Sequence, residues 1–184
     1  MRCSVLFILF IVCAGMFVGL SGCDSEDDSG DPAEPGWSIA YTADTQNPPP
    51  NSVYLDFITT SGDDLFLSVN VREVENVFGV AFALHFDPAV FEYINSTEGD
   101  FFKSSGAESA YIAAGGDGVV TIGISILGAE TSPVSGSGTL CSLVFRAVDS
   151  GRSRFDYREN HLFDGSGDPI PDVQWFGGLG IVAD

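Results

Sequence analysis

A chain of 184 residues with 26 acidic and only seven basic side chains carries a formal net charge of −19. A field of that sign excludes nucleic acid as a partner and peripheral binding to anionic lipid, because both need basic patches. Apolar residues make up 45% of the chain, enough for one domain with a packed core once the N-terminal segment is set aside.

Arg2 precedes a run from Cys3 to Gly22 that contains no charged side chain, and its centre, Val5 to Val12, has the form of a secretory h-region. By length the run just spans a bilayer. The residues after it are Asp and Glu, whereas a retained span carries Lys or Arg on its cytoplasmic side. Leu20-Ser21-Gly22-Cys23 resembles the lipobox of bacterial lipoprotein precursors: an aliphatic residue, two small ones, then the cysteine that is acylated before cleavage. The resemblance implies that residues 1–22 are a signal peptide and that Cys23 is the lipidation site. The chain is then lipid-anchored to a membrane of the bacterial cell envelope, periplasmic or surface-facing. Cys3 and Cys13 leave with the signal, Cys141 stands alone, and no intramolecular disulfide is expected.

Residues 24–36 hold no large apolar side chain and cannot offset the entropy of ordering them, so residues 23–51 read as an acidic, proline-rich tether. Within it Trp37, Ile39 and Tyr41 alternate as a short extra strand would. Asn47-Pro48-Pro49-Pro50-Asn51 is stiff and strand-breaking and marks the entrance to a domain over residues 52–184.

From Val53 onward the pattern has period two. Leu65, Leu67, Val69 and Val71 alternate with Phe66, Ser68, Asn70 and Arg72; Val80, Phe82, Leu84 and Phe86 alternate with Ala81, Ala83 and His85. Val120, Ile122, Ile124 and Ile126 alternate with Thr121, Gly123 and Ser125, and Cys141, Leu143, Phe145 and Ala147 lie opposite Leu140, Ser142, Val144 and Arg146. Separators such as Ser61-Gly62-Asp63-Asp64, Asp87-Pro88, Gly115-Gly116-Asp117-Gly118 and Ser135-Gly136-Ser137-Gly138 are turn chemistry. Short strands at this spacing predict an all-β fold, an antiparallel β-sandwich.

Four segments in order carry a family resemblance. Gly79 to Tyr93 is a Gly-led apolar strand, an aromatic-Asp-Pro turn and a second apolar segment; Gly136 to Val148 is a strand after a glycine-rich stretch. Leu162 to Ile170 is an Asp/Gly loop, and Gln174 to Val182 is a closing strand. Together they resemble cohesin modules, which are related in fold to carbohydrate-binding modules. The resemblance implies a jelly-roll of about nine strands, no catalytic activity and no cofactor. It further implies a protein partner, a dockerin-like module, held on one sandwich face and associated with polysaccharide breakdown. Binding of polysaccharide is the alternative, for which Tyr54, Phe66, Tyr111 and Trp175 are the candidate aromatics.

The face implied by the resemblance includes the strand at residues 79–86 and a late strand at about 152–158. Ala81, Ala83 and His85 are its candidate contacts on the first strand. Where many cohesins project Asn and Asp from that strand, this chain has Gly79 and Ala81. On the late strand Arg152, Arg154, Asp156 and Arg158 share one side, opposite Phe155 and Tyr157. Arg152, Arg154 and Arg158 form a basic ridge suited to a partner carboxylate, or neutralised by the domain's own acids. Asp164, Asp168 and Asp172 read as an acidic turn, with calcium ligation as the other reading, and no metal site is assigned. The two histidines, His85 and His161, belong to no motif that supplies a nucleophile or a metal partner.

Overall fold

Strands with one buried face form wherever large apolar residues recur at every second position. The computed structural model describes residues 36–106, 108–128 and 132–184. Its strands are β1 (Ser38–Ala43), β2 (Ser52–Ser61), β3 (Asp64–Val77), β4 (Gly79–His85), β5 (Phe91–Glu98), β6 (Ser109–Gly116), β7 (Val119–Ile126), β8 (Val134–Ala147), β9 (Gly151–Phe163), β10 (Gln174–Phe176) and β11 (Gly178–Ala183). A 3-10 turn covers Phe102–Ser105. One sheet runs β1-β11-β9-β4-β7-β6 and the other β10-β2-β3-β8-β5. All pairings are antiparallel except that of β10 with β2, which is parallel. The expected all-β sandwich is present, with eleven strands instead of nine.

The signal peptide, Cys23 and residues 23–35 of the tether lie outside the described residues. The same tether segment contains β1, which pairs with β11 from Ser38↔Ala183 to Ala43↔Gly178. The reason is the alternation noted above: Ile39 and Tyr41 pack against the core, which a solvated linker does not do.

Turn chemistry misplaces the start of β8. The stretch Ser135-Gly136-Ser137-Gly138 is part of the strand, paired irregularly with β3 through Val77↔Val134, Val74↔Gly136 and Val71↔Gly138. The irregularity is satisfied locally. Ser137 Oγ accepts the Glu73 N–H at 2.9 Å and Ser135 Oγ accepts the Asn76 N–H at 2.9 Å; both of those β3 residues have positive φ. Further along, the register steps from Asn70↔Thr139 to Val69↔Cys141. Leu140 is the extra residue of this bulge and is buried together with Cys141, rather than standing on the opposite face.

Between the sheets, Val80, Phe82 and Leu84 of β4 and Val120, Ile122 and Ile124 of β7 join Leu65, Leu67, Val69, Leu143 and Phe145 in one core. Phe155 of β9 is its aromatic centre, with the rings of Tyr41, Phe86, Phe91 and Phe145 at centroid distances of 5.0 to 6.3 Å. Gly180 in β11 is dictated by this cluster, because a Cβ there would lie 2.9 Å from both the Phe155 and Phe91 rings.

The Asp87-Pro88 turn works as its residue types require. Asp87 Oδ1 accepts the Ala89 N–H at 2.9 Å, and the Asp87 N–H donates to the buried Ser153 Oγ at 2.8 Å. Phe86 and Val90 then return to the core.

Cys141 is fully buried. Burial pushes its thiol up from about 9 to about 12, and burial likewise raises the hydroxyls of Tyr41, Tyr111 and Tyr157. The folded chain therefore keeps protons that the unfolded chain releases at alkaline pH. The stabilisation is complete below about pH 9 and is lost as pH climbs toward the folded value of about 12. The urea midpoint is expected to hold up to pH 9 and to fall between pH 9 and 11. A midpoint that is flat or rising over that interval contradicts the burial argument.

Candidate protein-binding face

The solvent side of β9-β4-β7-β6 follows from register. On β4, Gly79, Ala81, Ala83 and His85 point outward, because Val80, Phe82 and Leu84 point into the core. Their β9 partners are Phe163, His161, Arg158 and Asp156, and their β7 partners are Ser125, Gly123, Thr121 and Val119. On β6 the row continues as Ala110, Ile112, Ala114 and Gly116.

A β-bulge sets the pattern on β9. The register steps from Ala83↔Arg158 to Ala81↔His161, which places Glu159 and Asn160 opposite Phe82; Glu159 has φ of 50°. Parity reverses across it. Arg152, Arg154, Asp156 and Arg158 face outward before the bulge, and His161 faces outward after it. The inner side carries the buried Ser153 and Phe155 first and Leu162 afterwards.

All six candidate contacts, Ala81, Ala83, His85, Arg152, Arg154 and Arg158, thus lie on the outer side of one sheet. They are not equivalent. Ala83 is buried between its cross-strand neighbours Arg158 and Thr121. Arg154 is already paired: its Nη1 and Nη2 donate to the two carboxylate oxygens of Asp44 at 2.8 Å each, and Nη2 also donates to Asp156 Oδ1 at 3.2 Å. The hydrogen bonds it donates to Asp44 raise the pKa of this guanidinium. The ridge is therefore divided. Arg154 is neutralised by the domain's own acids, whereas among the described residues Arg152 and Arg158 make no ion pair and both are exposed.

Beside the ridge the sheet is hollowed into a trough of about 520 Å³. Its floor includes Gly79, Gly123 and Ala110; Ile112 forms one wall, and Phe163 with the loop after it forms the other. That loop is braced by Asp164, whose Oδ1 accepts the N–H groups of Ser166 at 2.8 Å and Asp168 at 3.0 Å. Asp164 thus acts as a turn cap, and among the described residues no group of three acidic, histidine or cysteine side chains is placed to hold a metal. Nothing in the sequence analysis makes Ile112, Gly123, His161 or Phe163 a site residue; the structure brings them to this face. The Thr121-Gly123-Ser125 alternation was the available signal for Gly123; none existed for His161, whose direction depends on the bulge.

The candidate glycan-binding aromatics do not form a row. Trp175 packs on Phe82 and Tyr157 with centroids at 6.0 and 5.1 Å. Tyr111 packs against the core and donates its hydroxyl to Ser96 Oγ at 2.6 Å. Tyr54 and Phe66 belong to the other sheet. Their register positions on β3, Asn70 and Phe66, are separated by about 13 Å of strand.

The two sheets and their order define a β-sandwich of the cohesin type. The chain belongs to the cohesin family: the cohesin domain model matches residues 59–162, more than half of the 184 residues. Among solved structures it is similar to a non-cellulosomal cohesin from the hyperthermophilic archaeon Archaeoglobus fulgidus, at 18% identity over 67% of this chain and 88% of that one, TM-score 0.52. It is also similar to one chain of a type II cohesin–X–dockerin complex from Acetivibrio cellulolyticus, at 18% identity over 67% of this chain and 94% of that one, TM-score 0.54. The cohesin CaCohA2 from Clostridium acetobutylicum gives 16% identity over 69% and 87%, TM-score 0.55. At these identities the likeness is one of fold. No curated protein matches the chain.

The Arg154–Asp44 pair joins β9 to the segment after β1 at a half-exposed position, where such pairs contribute about 1 kcal/mol or less. Asp44→Asn is expected to lower unfolding stability in urea by no more than about 1 kcal/mol. A loss several times larger would show that the pair organises the fold rather than trimming its surface charge.

Proposed function

We propose that this chain is a lipid-anchored, non-catalytic binding module that presents the outer face of β9-β4-β7-β6 to a dockerin-like protein partner. The observation that carries this reading is the division of the sandwich. On these strands most of the large apolar side chains are used in the core, so the solvent side is left mainly with Gly79, Ala81, Ala110, Ala114 and Gly123, with Ile112 and Phe163 at the trough, and with two arginines, Arg152 and Arg158, that make no ion pair among the described residues. A broad face whose middle strands carry mostly small side chains admits another protein surface, and exposed Arg is favoured at such contacts for its planar, bidentate donors. The Acetivibrio complex pairs a cohesin of the same fold with a dockerin. Gly79 and Ala81 on β4 offer shape rather than side-chain hydrogen bonds, so the partner is a divergent one. A role in polysaccharide breakdown fits the family resemblance and is part of this proposal.

The anchor rests on Leu20-Ser21-Gly22-Cys23. Acylation there, followed by the acidic segment, holds the sandwich at the cell envelope, and several acyl chains at one site make such attachment firm. Mass spectrometry of the native N-terminus is expected to find a cleaved chain beginning at an acylated Cys23; an unmodified cysteine removes the anchor from the reading.

The binding role is tested by calorimetric titration of the full chain with purified dockerin modules encoded in the same genome. At least one is expected to bind with a micromolar or tighter Kd. Arg158→Glu is expected to weaken that binding at least tenfold, about 1.4 kcal/mol. If none of the modules binds, the dockerin reading fails.

A further inference from the structure

The strand β6 ends its sheet with backbone groups unspent. It pairs with β7 alone, in unbroken register from Ser109↔Ile126 to Gly116↔Val119. Just before the strand, the Leu127 N–H donates to the Glu108 carbonyl at 2.8 Å. In an antiparallel ladder hydrogen-bonded pairs alternate with non-bonded ones, so Ala110, Ile112, Ala114 and Gly116 are the residues bonded to β7. Ser109, Tyr111, Ala113 and Gly115 turn their N–H and C=O groups the other way. Among the described residues no strand or loop receives them.

Exposed edges invite pairing, and folded chains ordinarily blunt them with charge, bulges, proline or brevity. In the second sheet β10 has three residues, and β5 carries Glu92, Glu98 and a register shift between Tyr93 and Asn95. At the far edge of the first sheet β1 has six residues, and it turns only Ile39, Tyr41 and Ala43 away from its ladder, since the Asp44 N–H bonds the Gly177 carbonyl. The edge at β6 has no such protection. Its eight residues, Ser-Ala-Tyr-Ile-Ala-Ala-Gly-Gly, include no charge, proline or bulge in a chain with 26 acids. It is also held in place from behind. The Tyr111 hydroxyl donates to Ser96 Oγ at 2.6 Å and the Ser109 hydroxyl to a Glu98 carboxylate oxygen, both on β5, so the edge is ordered before anything meets it.

We propose that the free edge of β6 receives an extended segment of another protein as an added strand, with an apolar residue beside Ile112 and a Lys or Arg at each end. Donors and acceptors repeated at every second residue are matched by the backbone of a strand and by no helix. Ile112, 70% exposed, gives the added strand an apolar cross-strand neighbour. Glu108 and Asp117 bracket β6; both are exposed, and neither makes an ion pair among the described residues. They select basic flanks and reject a second copy of this chain. Two copies paired along the whole strand would set Glu108 of each beside Asp117 of the other if antiparallel, or beside its own counterpart if parallel. Like charges then meet at both ends. The contacts use backbone at the side of the sheet, and the inference does not depend on the reading of its outer face.

Fluorescence anisotropy of a labelled peptide on the full chain tests this. The peptide alternates Val and Thr between two Lys residues spaced as Glu108 and Asp117 are. It is expected to bind at least tenfold more tightly than the same peptide with Glu at both ends, and the difference is expected to shrink as salt is raised. N-methylation of every residue between the lysines keeps the charge and removes the backbone donors, and is expected to weaken binding at least tenfold. On the protein, Ala113→Pro removes one edge donor where proline is tolerated, because that N–H does not serve the ladder; it is expected to weaken binding to the same degree. Should that variant fail to fold, the N-methylated peptide decides. No binding at about a millimolar peptide, equal binding of the Lys- and Glu-ended peptides, or unchanged binding of the N-methylated one overturns the proposal. So does a dimer of the full chain in sedimentation that Ala113→Pro dissolves, since a second copy then occupies the edge.

Discussion

The packing of Phe155 against four other aromatic rings is the interaction on which the arrangement of this molecule turns. Tyr41 comes from β1, Phe86 from the Asp-Pro turn, Phe91 from β5 and Phe145 from β8, so one side chain ties together segments more than a hundred residues apart. Its demands propagate outward. Gly180 is bare because the rings leave no room, and Ser153, two residues before Phe155, is drawn inside, where its hydroxyl takes the Asp87 N–H. Since residues alternate between faces, fixing Phe155 inward also fixes Arg152, Arg154, Asp156 and Arg158 outward. The outer face of β9-β4-β7-β6 is in this sense the reverse side of the core.

Charge is distributed on that face with an economy that the composition does not show. An excess of acids makes an unpaired arginine unusual, and Arg146 and Arg154 are each claimed by carboxylates within 2.8 Å. Among the described residues Arg152 and Arg158 are not. Screening weakens distant charges more than adjacent ones, so the molecule is negative from afar while this face carries two local cations. Charge placed in this way at a protein contact favours specificity more than affinity.

Most of the sandwich was legible because burial with period two leaves a direct imprint on residue choice. The runs through Leu65, Phe82, Ile122 and Leu143 are strands with the expected faces inward. Trp37, Ile39 and Tyr41 carried the same imprint more faintly, and β1 is a sheet strand within the segment otherwise read as a tether. Where two expectations competed locally, the weaker indicator misled. Ser135-Gly136-Ser137-Gly138 has the composition of a turn, yet it continues β8, because its serine hydroxyls receive the N–H groups that the irregular β3 pairing leaves over. Trp175 and Tyr111 show the same limit in the aromatic set, since nothing local to either residue states that it packs against the core.

By itself the sequence determined the class of fold, the inward and outward sides of the main strands, the resemblance to cohesins and the position of the arginines on one side of a late strand. Each of these depends on side-chain alternation or on short-range turn chemistry, which the order of residues encodes directly. Only the tertiary structure decided which arginine is spent on Asp44, how the bulge at Glu159 and Asn160 turns His161 toward solvent, and that Gly123 borders a trough with room above it. Those facts depend on contacts between residues far apart in the chain and on register between strands, and a single sequence does not specify either without the fold that joins them.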